Sequence, residues 1–193
     1  MAGRVALIWN PAAGRAKPEK LEEAAEFLSS RGFEAERMVT KKRGDAEAFA
    51  KDALSRGFDF IVASGGDGTI NEAVQPMAFG SVKLGIIPLG TVNVLAKELG
   101  IPASFKKALS CFAEGRARRI SLGKATIKET GLSRYFLLMA GVGFDAEVVS
   151  GNSENLKRRI GRFSYLATAG KLLISSRPEK LRFDIEGEKT TGF

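Results

Sequence analysis

The chain has 193 residues, 44% hydrophobic and 27% charged, with one cysteine and no histidine. These figures suit a soluble globular protein of one to two domains, with enough chain to bury a core. They exclude an intramolecular disulfide, histidine metal sites, and any triad or general base built on histidine. The single Cys111 is expected to be a small buried residue in a reducing compartment. The opening "MAGRVALIWNP" is too soon broken by Asn10 and Pro11 to read as a secretory signal, and no apolar run is long enough to span a bilayer. A net charge of +8 and a pI near 9.7 favour polyanionic partners: nucleotides, nucleic acid or an anionic membrane.

In chain order, "RVALIWN" (4–10) reads as a short buried strand. "PEKLEEAAEFLSSRG" (18–32) reads as a helix, opened by Pro18 and stopped by Gly32, with Leu21, Ala24, Ala25 and Leu28 at helical spacing. "FEAERMVT" (33–40) alternates as a strand does. "GDAEAFAKDALSRG" (44–57) is a helix with Asp45 expected as N-cap and Gly57 as stop. "FDFIVAS" (58–64) is a buried strand, followed by a glycine turn and a helix over 69–77. "VKLGIIPLG" (82–90) is a strand, and helices are expected over 91–100 and 103–115. Strands and helices that alternate in this way predict α/β architecture: a doubly wound, mostly parallel sheet with helices on both faces, over residues 1–116.

From about residue 117 the pattern changes to long β-type runs joined by the turn "TGLS". An antiparallel β unit is expected over 117–193, interrupted by a basic amphipathic helix near 154–175. That helix sets Lys157, Arg158, Arg159, Arg162 and Lys171 beside Leu156, Ile160, Phe163, Tyr165 and Leu166, a pattern that could lie on an anionic bilayer or pack on the core. "KLRFDIEGEKTTGF" reads as a strand, a turn and the start of another strand, so the second domain is expected to be incomplete at Phe193.

Ligands of open α/β sheets sit beyond the C-terminal ends of the strands. There the sequence places "NPAAGRAK", "TKKRGDA", "GGDGTINE" and "PLGTVN". Gly65, Gly66 and Gly68 are expected to let the backbone approach a phosphate and take positive φ. The helix start after them favours an anion, with Thr69 as cap or phosphate donor. Asp67 suits such a site if it acts through Mg²⁺ or orients an acceptor or ribose hydroxyl. The turn lacks the Gly-Lys-Ser/Thr ending of a Walker A loop and is not the Gly-x-Gly-x-x-Gly dinucleotide fingerprint. With no RNP-like, KH or zinc-finger pattern, no nucleic-acid partner is expected.

"NPAAG" at 10–14, "GGDGTINE" at 65–72, "PLGTVN" at 88–93 and "FLLMAGVGFDAEVV" at 136–149 together resemble the diacylglycerol kinase catalytic family, in its bacterial lipid kinase branch. That branch is related to ceramide and sphingosine kinases, and its glycine motif is shared with NAD kinases. The resemblance implies an α/β nucleotide-binding domain followed by a β-sandwich domain. It implies ATP and Mg²⁺ as cofactors and transfer of the γ-phosphoryl group to a lipid hydroxyl such as that of diacylglycerol. The nucleotide contacts it implies fall on Asn10, Thr40, Gly65, Gly66, Asp67, Gly68, Thr69, Ile70, Asn71 and Thr91. The acidic general base and the metal ligands are expected past Phe193, which leaves Asp67 a supporting role; Asp145 and Glu147 match a structural motif instead. Val94 stands where many relatives carry aspartate. Expected partners are a lipid alcohol and the surface of an anionic membrane, with a cytoplasmic location peripheral to the inner membrane face. NAD kinase, and a nucleotide- or membrane-binding module without catalysis, are the alternatives.

Overall fold

The structure, a computed structural model, describes residues 3–128 and 130–139 and the backbone of two strands at 181–185 and 188–192. The chain divides into two compact units, Met1–Leu138 and Met139–Phe193. The expected basic helix at 154–175 lies outside the described residues.

In the first unit, β1 (Arg4–Trp9), α1 (Pro18–Ser30), β2 (Glu34–Val39), α2 (Asp45–Ser55), β3 (Phe60–Gly65), α3 (Asp67–Val74) and β4 (Lys83–Pro88) alternate. A 3-10 turn, Gln75–Met77, extends α3; α4 (Val94–Glu98) and α5 (Phe105–Glu114) follow β4. The strands form one parallel sheet in the order β2-β1-β3-β4. This is the doubly wound α/β arrangement that the alternation predicts. Right-handed crossovers dictate the helix layers. The step from β1 to β2 runs one way along the sheet, while the steps β2 to β3 and β3 to β4 run the other way. Hence α1 lies on one face with α5, and α2 with α3 on the opposite face.

The two faces bury separate cores. Val5, Leu7, Trp9, Val62 and Ile87 pack with Ala24, Leu28 and Leu109 on the side of α1 and α5. Ala6, Ile8, Ile61, Ala63 and Ile86 pack on the other side with Ala46, Ala50 and Ala53 of α2 and Ile70 and Ala73 of α3. Because β1 and β3 are covered on both faces, they read as unbroken apolar runs. The alanines of α2 recur on one helix face and let it settle close to the sheet. Gly85 serves the same end in β4: a Cβ there would run into the Phe112 ring. Phe112 in turn completes an aromatic group with Phe33 and Phe60, ring centroids 5.6 Å apart.

Several local expectations need correction. Gly44, at φ 90°, is the N-cap of α2, and Asp45 is its first helical residue. The helix expected over 91–100 is shorter, because Asn93 adopts a left-handed φ of 51° and α4 begins only at Val94. Cys111 is exposed rather than buried; α5 turns Ala108 and Leu109 inward, and Cys111 falls on its outer side.

The predicted change of pattern brings in β5 (Gly123–Thr126) and β6 (Ser133–Phe136), an antiparallel hairpin that belongs to the first unit. Gly131, at φ 71°, makes its turn. In the second unit β7 (Leu181–Ile185) and β8 (Glu188–Gly192) are the two expected strands, paired antiparallel.

Candidate functional site

β1 and β3 lie side by side, yet their connections depart in opposite directions. At such a reversal a crevice opens beyond the strand ends, and ligands settle there. Asn10 follows β1 and the glycine turn follows β3, so both border this crevice.

Asn10 knits the two together. Its main-chain N–H donates to the Ser64 carbonyl at 2.9 Å. Its Oδ1 accepts the Ala12 N–H at 2.9 Å, an Asx turn that shapes "NPAAG". Its Nδ2 donates to Thr69 Oγ1 at 2.9 Å. Since Thr69 accepts in this bond, its own hydroxyl proton remains available to a ligand oxygen.

The glycines of the turn stand in three different surroundings, and none of them has positive φ. Gly66 is extended, at φ −95° and ψ −178°. A Cβ on Gly65 would stand 2.6 Å from Thr69 Cβ, so Gly65 makes room for the Thr69 side chain. A Cβ on Gly90 would stand 2.6 Å from Gly66 Cα, so there two backbones meet. A Cβ on Gly68 would meet nothing within 4 Å. Gly68 alone of the turn's three faces open space.

α3 starts at Asp67, earlier than the expected 69, and no side chain caps it. Thr69 therefore sits within the first turn instead of capping it. The amides of Asp67, Gly68 and Thr69 have no helical carbonyl to bond, and the helix dipole adds partial positive charge there. Ile70 is a core residue whose N–H donates to the Gly66 carbonyl at 3.2 Å. Asn71 is half-buried, its carbonyl taken by Gln75 Nε2 at 2.8 Å.

The carboxylate of Asp67 has a use visible in the fold. Oδ2 accepts the Val94 N–H and Oδ1 the Leu95 N–H, both at 3.0 Å. It caps α4 from outside and ties the glycine turn to "PLGTVN". Asn93 folds that second loop, with Oδ1 accepting the Gly90 N–H at 2.9 Å and Nδ2 donating to the Gly90 carbonyl at 2.7 Å. Thr91 is exposed on the same loop, and a Cβ on Gly14 would lie 3.4 Å from its Oγ1. Thus Asn10, the segment Gly65 to Asn71, and Thr91 are brought together. Thr40 is buried at the end of β2, and its N–H donates to the Trp9 carbonyl at 2.9 Å, on the far side of β1 from the glycine turn.

Further residues shape the site that the sequence did not point to as site residues. Arg15 donates from its guanidinium to the carbonyls of Pro88 at 3.0 Å and Ala103 at 3.3 Å, and from its main chain to Leu89 at 2.8 Å. It lines, with Pro88, Thr91, Asn93 and Lys97 among others, a cavity of about 110 Å³. Asp45 Oδ2 accepts the N–H groups of Lys41 and Lys42 at 2.7 and 3.0 Å. Those bonds hold its carboxyl below the ordinary aspartate range. Glu72 accepts the Gly44 N–H at 3.0 Å. Lys41, Lys42 and Arg43 are therefore exposed on a fixed turn at the same end of the sheet. Arg15, Lys41, Lys42, Arg43, Asp45 and Glu72 lie within the polar strand-end segments that the sequence offers, but their partners could not be read there.

Among the described residues no group of three or more His, Cys, Asp or Glu is placed to hold a metal. With both Asp67 oxygens on amides, the described residues do not form a Mg²⁺ cage. A Mg²⁺ arriving with a nucleotide would draw its ligands largely from phosphate oxygens and water.

The family model of the diacylglycerol kinase catalytic domain matches residues 4–125. A diacylglycerol kinase of Staphylococcus aureus (strain MRSA252) is 32% identical over 195 aligned positions, which cover 100% of this chain and 60% of that one. One from Staphylococcus carnosus (strain TM300) is also 32% identical, with 62% of its length covered. A crystal structure of a diacylglycerol kinase from Bacillus anthracis str. Sterne superposes with a TM-score of 0.52 at 31% identity, over 58% of this chain and 42% of that one. The chain spans about 60% of the length of the curated relatives it matches. No helix among the described residues is long and apolar enough to cross a membrane. With well over half its length under the family model, the chain belongs to the diacylglycerol kinase catalytic domain family.

Proposed function

We propose that this protein binds the polyphosphate of ATP at the glycine turn and passes the γ-phosphoryl group to the hydroxyl of a diacylglycerol-like lipid. The observation that carries the reading is the first turn of α3: uncapped, at the sheet's topological switch, with open space over Gly68. Phosphate oxygens there accept from the three first-turn amides and from the hydroxyl of Thr69, while Thr91 borders the same crevice. In the transfer, the lipid oxygen bonds to the γ-phosphorus as the bond from that phosphorus to the β–γ bridging oxygen breaks. ADP leaves, and the hydroxyl proton passes to a base outside the described residues. Such transfer needs chiefly positioning and charge neutralisation. Mg²⁺ supplies neutralisation when bound with the nucleotide. This chain's own residues hold the phosphates and fix the loops.

We also place the protein against an anionic membrane at the cytoplasmic face, where its acceptor would be found. The exposed turn of Lys41, Lys42 and Arg43 supports this, since each basic residue near such a surface is worth about 1 kcal/mol.

The test is transfer from γ-labelled Mg·ATP to mixed micelles of diacylglycerol, other lipid alcohols or sphingoid bases, with NAD assayed in parallel. Label in diacylglycerol is the expected result. Label in NAD alone refutes the lipid kinase reading, and label in nothing favours an incomplete or non-catalytic nucleotide-binding module.

A further inference from the structure

The side chain of Gln75 is used more completely than any fold requirement of α3 demands. Its main-chain N–H bonds to the Glu72 carbonyl, a tightened last turn that leaves the Asn71 carbonyl without its usual helical donor. Gln75 Nε2 repairs this by donating to the Asn71 carbonyl at 2.8 Å. The same nitrogen donates its second hydrogen to the Tyr135 carbonyl at 2.8 Å, and Oε1 accepts the Tyr135 N–H at 2.9 Å. Pro76 follows, so the helix cannot simply continue past this point.

Toward β6 the carboxamide thus behaves as a neighbouring strand would, offering one donor and one acceptor to a single residue. Tyr135 pairs with Lys124 across the hairpin, and its main-chain groups point away from β5, toward Gln75. A second tie runs from Arg134 to Glu47 in the first turn of α2, at 2.7 Å. The hairpin is therefore pinned across the α2–α3 layer. Gln75 is its link to the helix whose other end is the glycine turn, about 12 Å away along the axis at 1.5 Å per residue. Past Leu138 the chain enters the second unit.

We infer that Gln75 is a positioning residue: it fixes the point where the chain leaves the first unit relative to the phosphate-binding turn, so that acceptor alignment depends on it and nucleotide affinity does not. This rests on the phosphoryl-transfer reading above. A reacting group misplaced by about 1 Å can cost up to about a hundredfold in rate, whereas the first-turn amides of α3 are untouched by loss of the carboxamide.

The experiment compares Gln75→Leu, which loses all three side-chain bonds, with Gln75→Glu, which keeps an acceptor for the Tyr135 N–H. Isothermal titration calorimetry measures Mg·ATP binding. Expected for Gln75→Leu is an affinity and KM for Mg·ATP within about twofold of the parent, with kcat for lipid lower by about ten- to a hundredfold. Gln75→Glu falls between. Hydrogen exchange at the Tyr135 amide rises in Gln75→Leu and less in Gln75→Glu, while the amides of β3 keep their protection. Unchanged Tyr135 exchange in Gln75→Leu overturns the link, and does so whether or not the protein transfers phosphate. An unchanged kcat with freed Tyr135, or loss of ATP affinity together with β3 protection, overturns the positioning role. A parent protein that binds no Mg·ATP by calorimetry refutes the phosphoryl-transfer reading, a result distinct from failure of the link.

Discussion

Alanine at Gly68 and alanine at Gly65 add the same methyl group to opposite surroundings. At Gly68 the methyl projects into space with no atom within 4 Å, in a helical backbone without positive φ. Removing glycine from a helix gains about 0.5–1 kcal/mol, so Gly68→Ala should be at least as stable as the parent. The methyl then occupies the place a phosphate would take, and Mg·ATP should bind about tenfold or more weakly, roughly 1.4 kcal/mol. At Gly65 the methyl meets Thr69 Cβ at 2.6 Å and Cγ2 at 2.9 Å. Thr69 is buried and held by Asn10, so it cannot yield cheaply. Overpacking of about 1–3 kcal/mol, plus about 1 kcal/mol for a strained Asn10–Thr69 bond, gives a loss of about 2–4 kcal/mol. Urea unfolding measures the stabilities, and isothermal titration calorimetry measures the affinity. A Gly68→Ala variant that loses stability, or binds Mg·ATP as the parent does, would refute the assignment of open space at Gly68 to the ligand.

Three further outcomes follow from the geometry. Asp67→Asn puts an amide donor against one of the Val94 and Leu95 N–H groups, and should cost about 1–3 kcal/mol in urea unfolding; an unchanged midpoint means the two bonds are not formed. Glu36 is held below its ordinary 4.5 first by its hydrogen bond from Arg56, opposed by slight burial. A depressed carboxylate stabilises above the unfolded value and loses that contribution as pH falls through the folded one, so below about pH 4.5 the parent should lose slightly more stability than Glu36→Gln. The pair is exposed, so the difference should stay below about 1 kcal/mol, and parallel pH curves would exclude it. Cys111 should react with a thiol reagent in the native state at the rate of a small exposed thiol, and protection until unfolding would contradict its place on α5.

The layer architecture was legible because β1 and β3 carry unbroken apolar runs while α1 and α2 carry periodic ones. Helix stops at Gly32 and Gly57 were legible too, both at positive φ as a C-terminal glycine should be. Three of the four motif segments, those of Asn10, the glycine turn and Thr91, come together because β1, β3 and β4 are neighbours whose ends lie on one side of the sheet, while Thr40 at the end of β2 stands apart. What each residue does was not legible. Asp45 looks like an N-cap in sequence, but its carboxylate turns back to the amides of Lys41 and Lys42. Asp67 looks like a metal or substrate group, and its partners lie 27 and 28 residues away in another loop. Sequence order carries no record of such distances. Gln75 left no signal at all, because a glutamine at a helix end is ordinary until the strand beside it is known.

The central position of β1 also sets a schedule for synthesis. Val5 must find Phe60, 55 residues later in the chain, before the second edge of β1 is paired. At about 5–20 residues per second that partner emerges roughly 3–11 s after β1 does. Until then β1 can pair only with β2, and the face bearing Ala6 and Ile8 waits for α2 and α3 to cover it. The strand that leads into Asn10 is thus the first made and stays unpaired on one edge until β3 follows. A nascent chain arrested before residue 60 should therefore expose "VALIW" to proteases and chaperones, and one arrested after β4 has left the ribosome should not.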